Sequence, residues 1–317
     1  MLISLTFAAA LVAGLTITPI VRRLAHHLDL LDLPGEHRKV HQFPVPRLGG
    51  VAMVIAFGVG LALATLAAGD LNAGGLRPNR APAILAGVTL LLVLGVIDDT
   101  RGMRALIKLA VQVAAALLAF GLGLSLERLS FPWGVVELGP LALPVTVAWI
   151  VGVINAVNLI DGLDGLASGV VLTVLGAFAV LAALDGVDPT LYIIAATIGA
   201  AAGFLAYNLH PATIIMGDTG SMFLGFVVAA VGISLAQDGV NPVPPWVPII
   251  ALGVPILDTI WAVIRRTARG AAFYVADRGH IHHQLLRLGL SQRDAMLSLT
   301  AVSAGLAMIA LVLAGVR

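Results

Sequence analysis

The sequence predicts an all-α integral membrane protein, a polytopic bundle of about ten transmembrane helices with its chemistry in loops on the cytoplasmic face. Three observations predict it. First, the 317 residues are 59% hydrophobic and only 11% charged, with a mean hydropathy of +1.02, whereas soluble domains are about a quarter charged. Second, ten apolar runs approach the length needed to cross a hydrocarbon core of about 30 Å at about 1.5 Å per residue. Third, Lys and Arg are divided unequally between alternate loops. The 35 glycines and 16 prolines do not oppose this class, because membrane helices tolerate both. Without cysteine, disulfide frameworks and thiolate metal sites are excluded. A net charge of +1 gives no ground for a nucleic-acid partner.

The runs begin near Leu2, Gly49, Ala81, Ala105, Leu141, Leu163, Leu191, Gly220, Val247 and Asp294. A secretory signal carries its positive charge before the apolar stretch, but here Arg22 and Arg23 follow it. The first run therefore reads as a retained span with its N-terminus outside, and ten spans place both termini outside. Of the 18 Lys and Arg residues, 14 lie within 22–48, 98–108 and 265–293; the others are Arg77, Arg80, Arg128 and Arg317. The positive-inside rule makes the first set cytoplasmic, as expected of a multi-pass protein of the cell inner (plasma) membrane. All eight histidines and Asp98, Asp99, Asp161, Asp164, Asp218 and Asp277 fall on or beside the same loops, although the rule uses none of them. No internal repeat or separate soluble domain is visible, so 1–317 reads as one transmembrane domain with cytoplasmic loops at about 22–48, 98–104, 158–164, 208–219 and 265–293.

Three acidic clusters sit where spans meet that face. Asp98-Asp99 ends the third run; two carboxylates there are costly unless paired or bound to a cation. The plainer alternative is a helix boundary paired to Arg101 or Arg104. In Asn155-Ala-Val-Asn158-Leu-Ile-Asp161-Gly-Leu-Asp164-Gly, the spacing of three puts Asn158, Asp161 and Asp164 along one edge of a helical turn, and the glycines admit a ligand close to the backbone. An N-cap would explain one aspartate of this ladder but not all. In Asn208-Leu-His-Pro-Ala-Thr-Ile-Ile-Met-Gly-Asp218-Thr-Gly-Ser, Asp218 heads a helix, as a metal ligand or as its cap. These hard oxygen donors suit Mg²⁺, or Mn²⁺, better than zinc. Arg278-Gly-His280-Ile-His282-His283 lacks a fourth zinc ligand at standard spacing and suits hydrogen bonding to phosphate or sugar oxygens. The basic first loop, Arg38-Lys39-Val-His41 to Pro46-Arg47-Leu-Gly49-Gly50, suits lipid headgroups as well as substrate phosphates.

These motifs together resemble the polyprenyl-phosphate N-acetylhexosamine-1-phosphate transferases, glycosyltransferase family 4. The resemblance extends from Arg38 to about Leu286, and the histidine loop looks like that of the WecA/TagO branch, not the consecutive histidines of the MraY branch. Chains of the former often carry an eleventh span, whereas ten are expected here. The resemblance implies transfer of N-acetylglucosamine 1-phosphate from UDP-N-acetylglucosamine to undecaprenyl phosphate, the first membrane step of cell-envelope polysaccharide synthesis. A related transferase acting on another UDP-N-acetylhexosamine or on UDP-MurNAc-pentapeptide is the nearest alternative. By the same resemblance, Asp218 is the leading Mg²⁺ ligand with Asn158 second. Asp164 and Asn208 belong to the uridine pocket, and Asp161 binds substrate beside them. Lys108, Arg278, His280, His282 and His283 contact phosphate or sugar oxygens.

Asp98, with Asp99 beside it, is the family's catalytic pair, often given the part of general base. A phosphomonoester's second pKa of about 6 makes that base dispensable, which leaves the alternative that the pair positions a cation or Lys108. Whether the chain forms a homodimer stays open. An anionic-solute transporter would place polar groups deep in its spans and usually show a repeat. A lipid-phosphate hydrolase would release inorganic phosphate.

Overall fold

The computed structural model describes residues 1–32, 43–68, 80–184, 186, 188–238, 242–270, 272 and 279–315. Its helices are α1 (Leu2–His27), α2 (Gly49–Ala68), α3 (Ala81–Arg101), α4 (Ala105–Gly121), α5 (Ala142–Ile160), α6 (Leu166–Leu184), α7 (Asp188–Asn208), α8 (Gly217–Gln237), α9 (Trp246–Ala251), α10 (Gly253–Ala268), α11 (Ile281–Arg287) and α12 (Gln292–Leu313). Two short antiparallel pairs complete the described residues. One joins β1 (Leu31–Asp32) to β2 (Val45–Pro46), with Leu31 opposite Pro46; the other joins β3 (Arg128–Phe131) to β4 (Gly134–Glu137).

Eight helices among the described residues are long and apolar enough to cross a membrane: α1, α2, α3, α5, α6, α7, α8 and α12. Large apolar side chains such as Val12, Leu66, Val93, Met308 and Val312 stay exposed on them, which water would penalise and lipid would not. The other two expected spans take different forms. The fourth is α4, apolar but only 17 residues long. The ninth is broken at Leu252 into α9 and α10. Pro255 causes the break locally: it has no N–H to offer Ala251, four residues back, and proline is tolerated only in a helix's first turn. Beyond the break, α10 buries Asp258, Ala262 and Arg266 at a spacing of four while Leu257, Ile260, Trp261 and Ile264 are exposed. Its polar stripe faces protein and its apolar side faces outward.

The centre of the bundle is α8, every residue of which from Thr219 to Ala236 is buried. Close approach by α2 requires glycine on both sides: a Cβ on Gly50 would lie 2.1 Å from the backbone nitrogen of Gly220. Helices α3 and α5 each pack along α8, and their C-terminal ends meet the N-terminal end of α8 at one end of the bundle.

Candidate active site

The site is assembled around the first turn of α8. Backbone hydrogen bonds lace the chain after β2 to the chain before α8: Ile215 N to Pro46 O (2.9 Å), Gly49 N to Ile215 O (3.0 Å) and Gly50 N to Met216 O (2.8 Å). Gly217 then turns at φ +67°, and a side chain there would collide with the Asp99 carboxylate at 2.6 Å. Asp99, at the end of α3, accepts from Asp218 N at 2.8 Å, Thr219 N at 3.1 Å and Thr219 Oγ1 at 2.6 Å. A carboxylate from a neighbouring helix therefore satisfies two of the orphan donors of α8 and sits at the positive end of its dipole.

That arrangement corrects two sequence alternatives. Asp218 does not cap its own helix; Asp99 does, so Asp218 is free to turn elsewhere. Nor does Asp98-Asp99 close a boundary with Arg101 or Arg104: Asp98 is buried and ion-pairs with Lys108 of α4. The same ammonium ion-pairs with Asp218 Oδ2, and Asn158 Nδ2 donates to Asp218 Oδ1 and to Ser221 Oγ, each at 2.7 Å. Asn158 presents its amide nitrogen and so holds the Asp218 carboxylate; as a metal ligand it would have to turn its oxygen inward.

Asp98, Asp99, Asn158 and Asp218 line a cavity of about 620 Å³ together with Asp32, Arg47 and Asp161. Asp161, just past the end of α5, has no hydrogen bond or ion pair on its carboxylate among the described residues. Burial first, then the charges of Asp218, Asp99 and Asp164, push its carboxyl well above the ordinary range. A cavity so acidic repels a diphosphate unless a cation accompanies it. Hard oxygens on Asp161 and Asp218 fit Mg²⁺. No three acidic or histidine side chains among the described residues close into a cage. An Mg²⁺ ion would therefore take one or two carboxylates here and complete its shell from water and phosphate oxygens, as it commonly does.

Asp164 and Asn208 are brought together, but their polar atoms pin two loops. Both are buried. Asp164 Oδ2 accepts from His210 Nδ1 at 2.9 Å and Ala212 N at 3.0 Å, while Asn208 accepts from Gly165 N at 3.1 Å and donates to Ile214 O at 3.0 Å. They shape the cavity wall.

The histidines divide by role. His280 stands at the N-cap of α11 with Nδ1 2.8 Å from Asp258 Oδ2 and Nε2 3.3 Å from Arg266; Asp258 Oδ1 also accepts from Ile281 N at 2.9 Å. Both ring nitrogens thus meet side chains of α10, which anchors the loop to that helix. His282 stacks parallel to His280 at 5.8 Å and lies 4.3 Å from the ring of His283, which is half-buried. It packs onto the aspartate ladder: a Cβ on Gly162 would lie 2.2 Å from its Nε2. Its Nδ1 is buried without a hydrogen-bond partner among the described residues. Burial, then the neighbouring His283 and His280, hold its pKa down at about 3, so it is neutral at pH 7. Arg278 and Asp277, like His37, Arg38, Lys39 and His41 of the first loop, lie outside the described residues.

Three contributors were not singled out by sequence. Asp32 ion-pairs with Arg47 across the β1–β2 pair at the cavity wall. Gln292 enters the wall from the start of α12. Asp258, a lone acid within an apolar run, was the one with a usable signal, because a membrane-embedded acid needs a partner.

A family model for glycosyl transferase family 4 matches residues 81–236. The chain is 39% identical over 297 residues to a probable undecaprenyl-phosphate N-acetylglucosaminyl 1-phosphate transferase of Bacillus subtilis, covering 93% of this chain and 80% of that one. It is 35% identical over 302 residues to a decaprenyl-phosphate N-acetylglucosaminephosphotransferase of Mycobacterium tuberculosis, with coverage of 87% and 74%. The corresponding figures for an undecaprenyl-phosphate alpha-N-acetylglucosaminyl 1-phosphate transferase of Escherichia coli K12 are 27% over 297 residues, 91% and 77%.

Proposed function

The chain belongs to glycosyl transferase family 4, and from that premise we propose that it transfers N-acetylglucosamine 1-phosphate from UDP-N-acetylglucosamine to undecaprenyl phosphate, releasing UMP. The observation that carries this reading is the convergence of Asp98, Asp99, Asn158, Asp161 and Asp218, from three separate helix ends, on one cavity. The distribution along the sequence, with 14 of the 18 Lys and Arg residues within 22–48, 98–108 and 265–293, supports a cytoplasmic site in the inner (plasma) membrane.

The acceptor phosphate oxygen forms a bond to the phosphorus that carries the sugar, and the bond from that phosphorus to UMP breaks, its electron pair leaving with UMP. One phosphoanhydride replaces another, and no proton has to be removed from an acceptor already dianionic. The task is to bring two anions together in line, so positioning and charge dominate. Asp218 and Asp161 would hold Mg²⁺, which when bound offsets the repulsion between the two phosphate groups. Lys108 and Arg47 supply the protein's own positive charge at the site. Asp98 orients the Lys108 ammonium, in keeping with a positioning role and not that of a base. Asp99 sets the direction of Asp218 through the α8 turn, and neutral His282 offers a hydrogen bond to the sugar or phosphate.

The test is incubation of purified protein with labelled UDP-N-acetylglucosamine, undecaprenyl phosphate and Mg²⁺. Label should enter the lipid fraction, and excess chelator should stop it. Release of free phosphate with no lipid-linked sugar would overturn the reading, and preference for another UDP-sugar would reassign the donor.

A further inference from the structure

A second cavity, of about 700 Å³, lies behind the first, and Asp164 and Gln292 line both. Its wall combines Arg22, Arg23, His26 and His27 from the end of α1 with His210. No hydrogen bond or ion pair holds the four α1 side chains among the described residues. The carboxylate in that wall, Asp164, already accepts from His210 and Ala212. Among its described wall residues the cavity gathers two arginines and three histidines against one acid, Asp164, and its complement is an anion.

Depth and rim say which anion. At about 1.5 Å per residue, twenty residues from Leu2 fill a hydrocarbon layer of about 30 Å, which leaves Arg22 to His27 at headgroup level. Exposed Phe43, with Pro44 and Pro46, lines the same cavity, and Leu24 and Leu28 are exposed on α1 next to the basic residues, so apolar surface adjoins the basic interior. A free phosphate would gain nothing from that rim; a phospholipid, with a charged head and acyl chains running along α1, matches both parts. We propose that this cavity binds the phosphate headgroup of an anionic phospholipid. Because Asp164, which lines both cavities, holds His210 of the second, bound lipid braces the loop before α8. That coupling rests on the transfer reaction proposed above, whereas the binding does not.

The test is native mass spectrometry of the purified full-length protein titrated with phosphatidylglycerol or phosphatidylcholine, with and without excess inorganic phosphate. Wild-type protein should retain one phosphatidylglycerol in preference to phosphatidylcholine, undisturbed by inorganic phosphate. Arg22→Gln/Arg23→Gln should weaken that binding by about 30-fold, and Arg23→Gln alone, at an exposed position least able to disturb folding, by about fivefold. Equal phosphatidylglycerol occupancy in wild type and variants, or equal binding of phosphatidylcholine, would overturn the site. Displacement by inorganic phosphate would also overturn it, by showing a free-anion site. Transfer activity of the double variant measured with undecaprenyl phosphate but without added phosphatidylglycerol should match wild type, so loss of phospholipid binding is separable from failure of the transfer reading.

Discussion

Asp99→Asn removes one oxygen acceptor while keeping size and shape. Three donors, Asp218 N, Thr219 N and Thr219 Oγ1, meet the two carboxylate oxygens at 2.6–3.1 Å. An amide leaves one oxygen and sets an NH₂ against at least one backbone N–H. An orphaned buried donor costs about 1–3 kcal/mol; loss of a helix cap costs about 0.5–2 kcal/mol and loss of a negative charge at the helix start about 0.3–1 kcal/mol. These overlap, giving about 2–4 kcal/mol in all. Because the first turn of α8 also aims Asp218 at Lys108 and Asn158, turnover should fall with stability, by about 100-fold for a displacement near 1 Å. Thermal unfolding in detergent and the transfer assay measure the two effects. Asp98→Asn is the control: it frees Lys108 and should lower turnover with much less loss of stability, since Asp98 caps nothing. Wild-type unfolding temperature and activity in Asp99→Asn would refute the capping argument. A larger destabilisation in Asp98→Asn than in Asp99→Asn would refute the division of labour.

Asp258→Asn cannot satisfy both His280 and Ile281 N, so transfer should drop about 10- to 100-fold while Asp258→Glu recovers part of it; unchanged kinetics in both would remove Asp258 from the site. Gly162→Ala should cost about 1–3 kcal/mol through its collision with His282, and that penalty should disappear in a His282→Ala background; an additive cycle would show that the two are not in contact. His282 bears on pH stability as well. Its folded pKa, about 3, lies below the unfolded value of about 6.5, so its contribution is complete above pH 6.5 and is lost as pH falls toward 3, by up to about 1.4 kcal/mol per unit. Acid unfolding of His282→Gln should lack this component, and an identical pH slope in the two proteins would contradict the neutral, buried assignment.

Much of the architecture was legible because lipid imposes a simple rule on sequence. All ten expected starts lie within three residues of a described helix start, from Leu2, Gly49, Ala81 and Ala105 to Gln292 against Asp294, while α10 and α11 were not expected as separate helices. The ladder residues Asn158, Asp161 and Asp164 do reach one cavity, but not along a helical edge: α5 ends at Ile160, and Asp161 and Asp164 lie in the turn beyond it. Side-chain direction was not legible. Asp98 and Asp99 are neighbours in sequence, yet successive residues on a helix diverge by about 100°, so one faces α4 and the other α8. Polar residues of the right type can also serve as scaffold: Asp164, Asn208 and His280 look like ligands in sequence, and their partners, Ala212 N, Gly165 N and Asp258, are too distant or too ordinary to be guessed. The break at Leu252 had a local signal in Pro255, but hydropathy averaged over a window passes over it.

The most direct test of a sugar-phosphate transferase is exchange in reverse. Exchange of one phosphoanhydride for another leaves an equilibrium within a few kcal/mol of balance, on the order of a hundredfold or less. With lipid-linked pyrophosphoryl N-acetylglucosamine and Mg²⁺ present, labelled UMP should therefore appear in UDP-N-acetylglucosamine, at a rate lost in Asp218→Asn and depressed in Asp98→Asn without recovery at higher pH. No incorporation of UMP by the wild-type protein would contradict transfer itself, and strong recovery of Asp98→Asn at high pH would restore that carboxylate as the base.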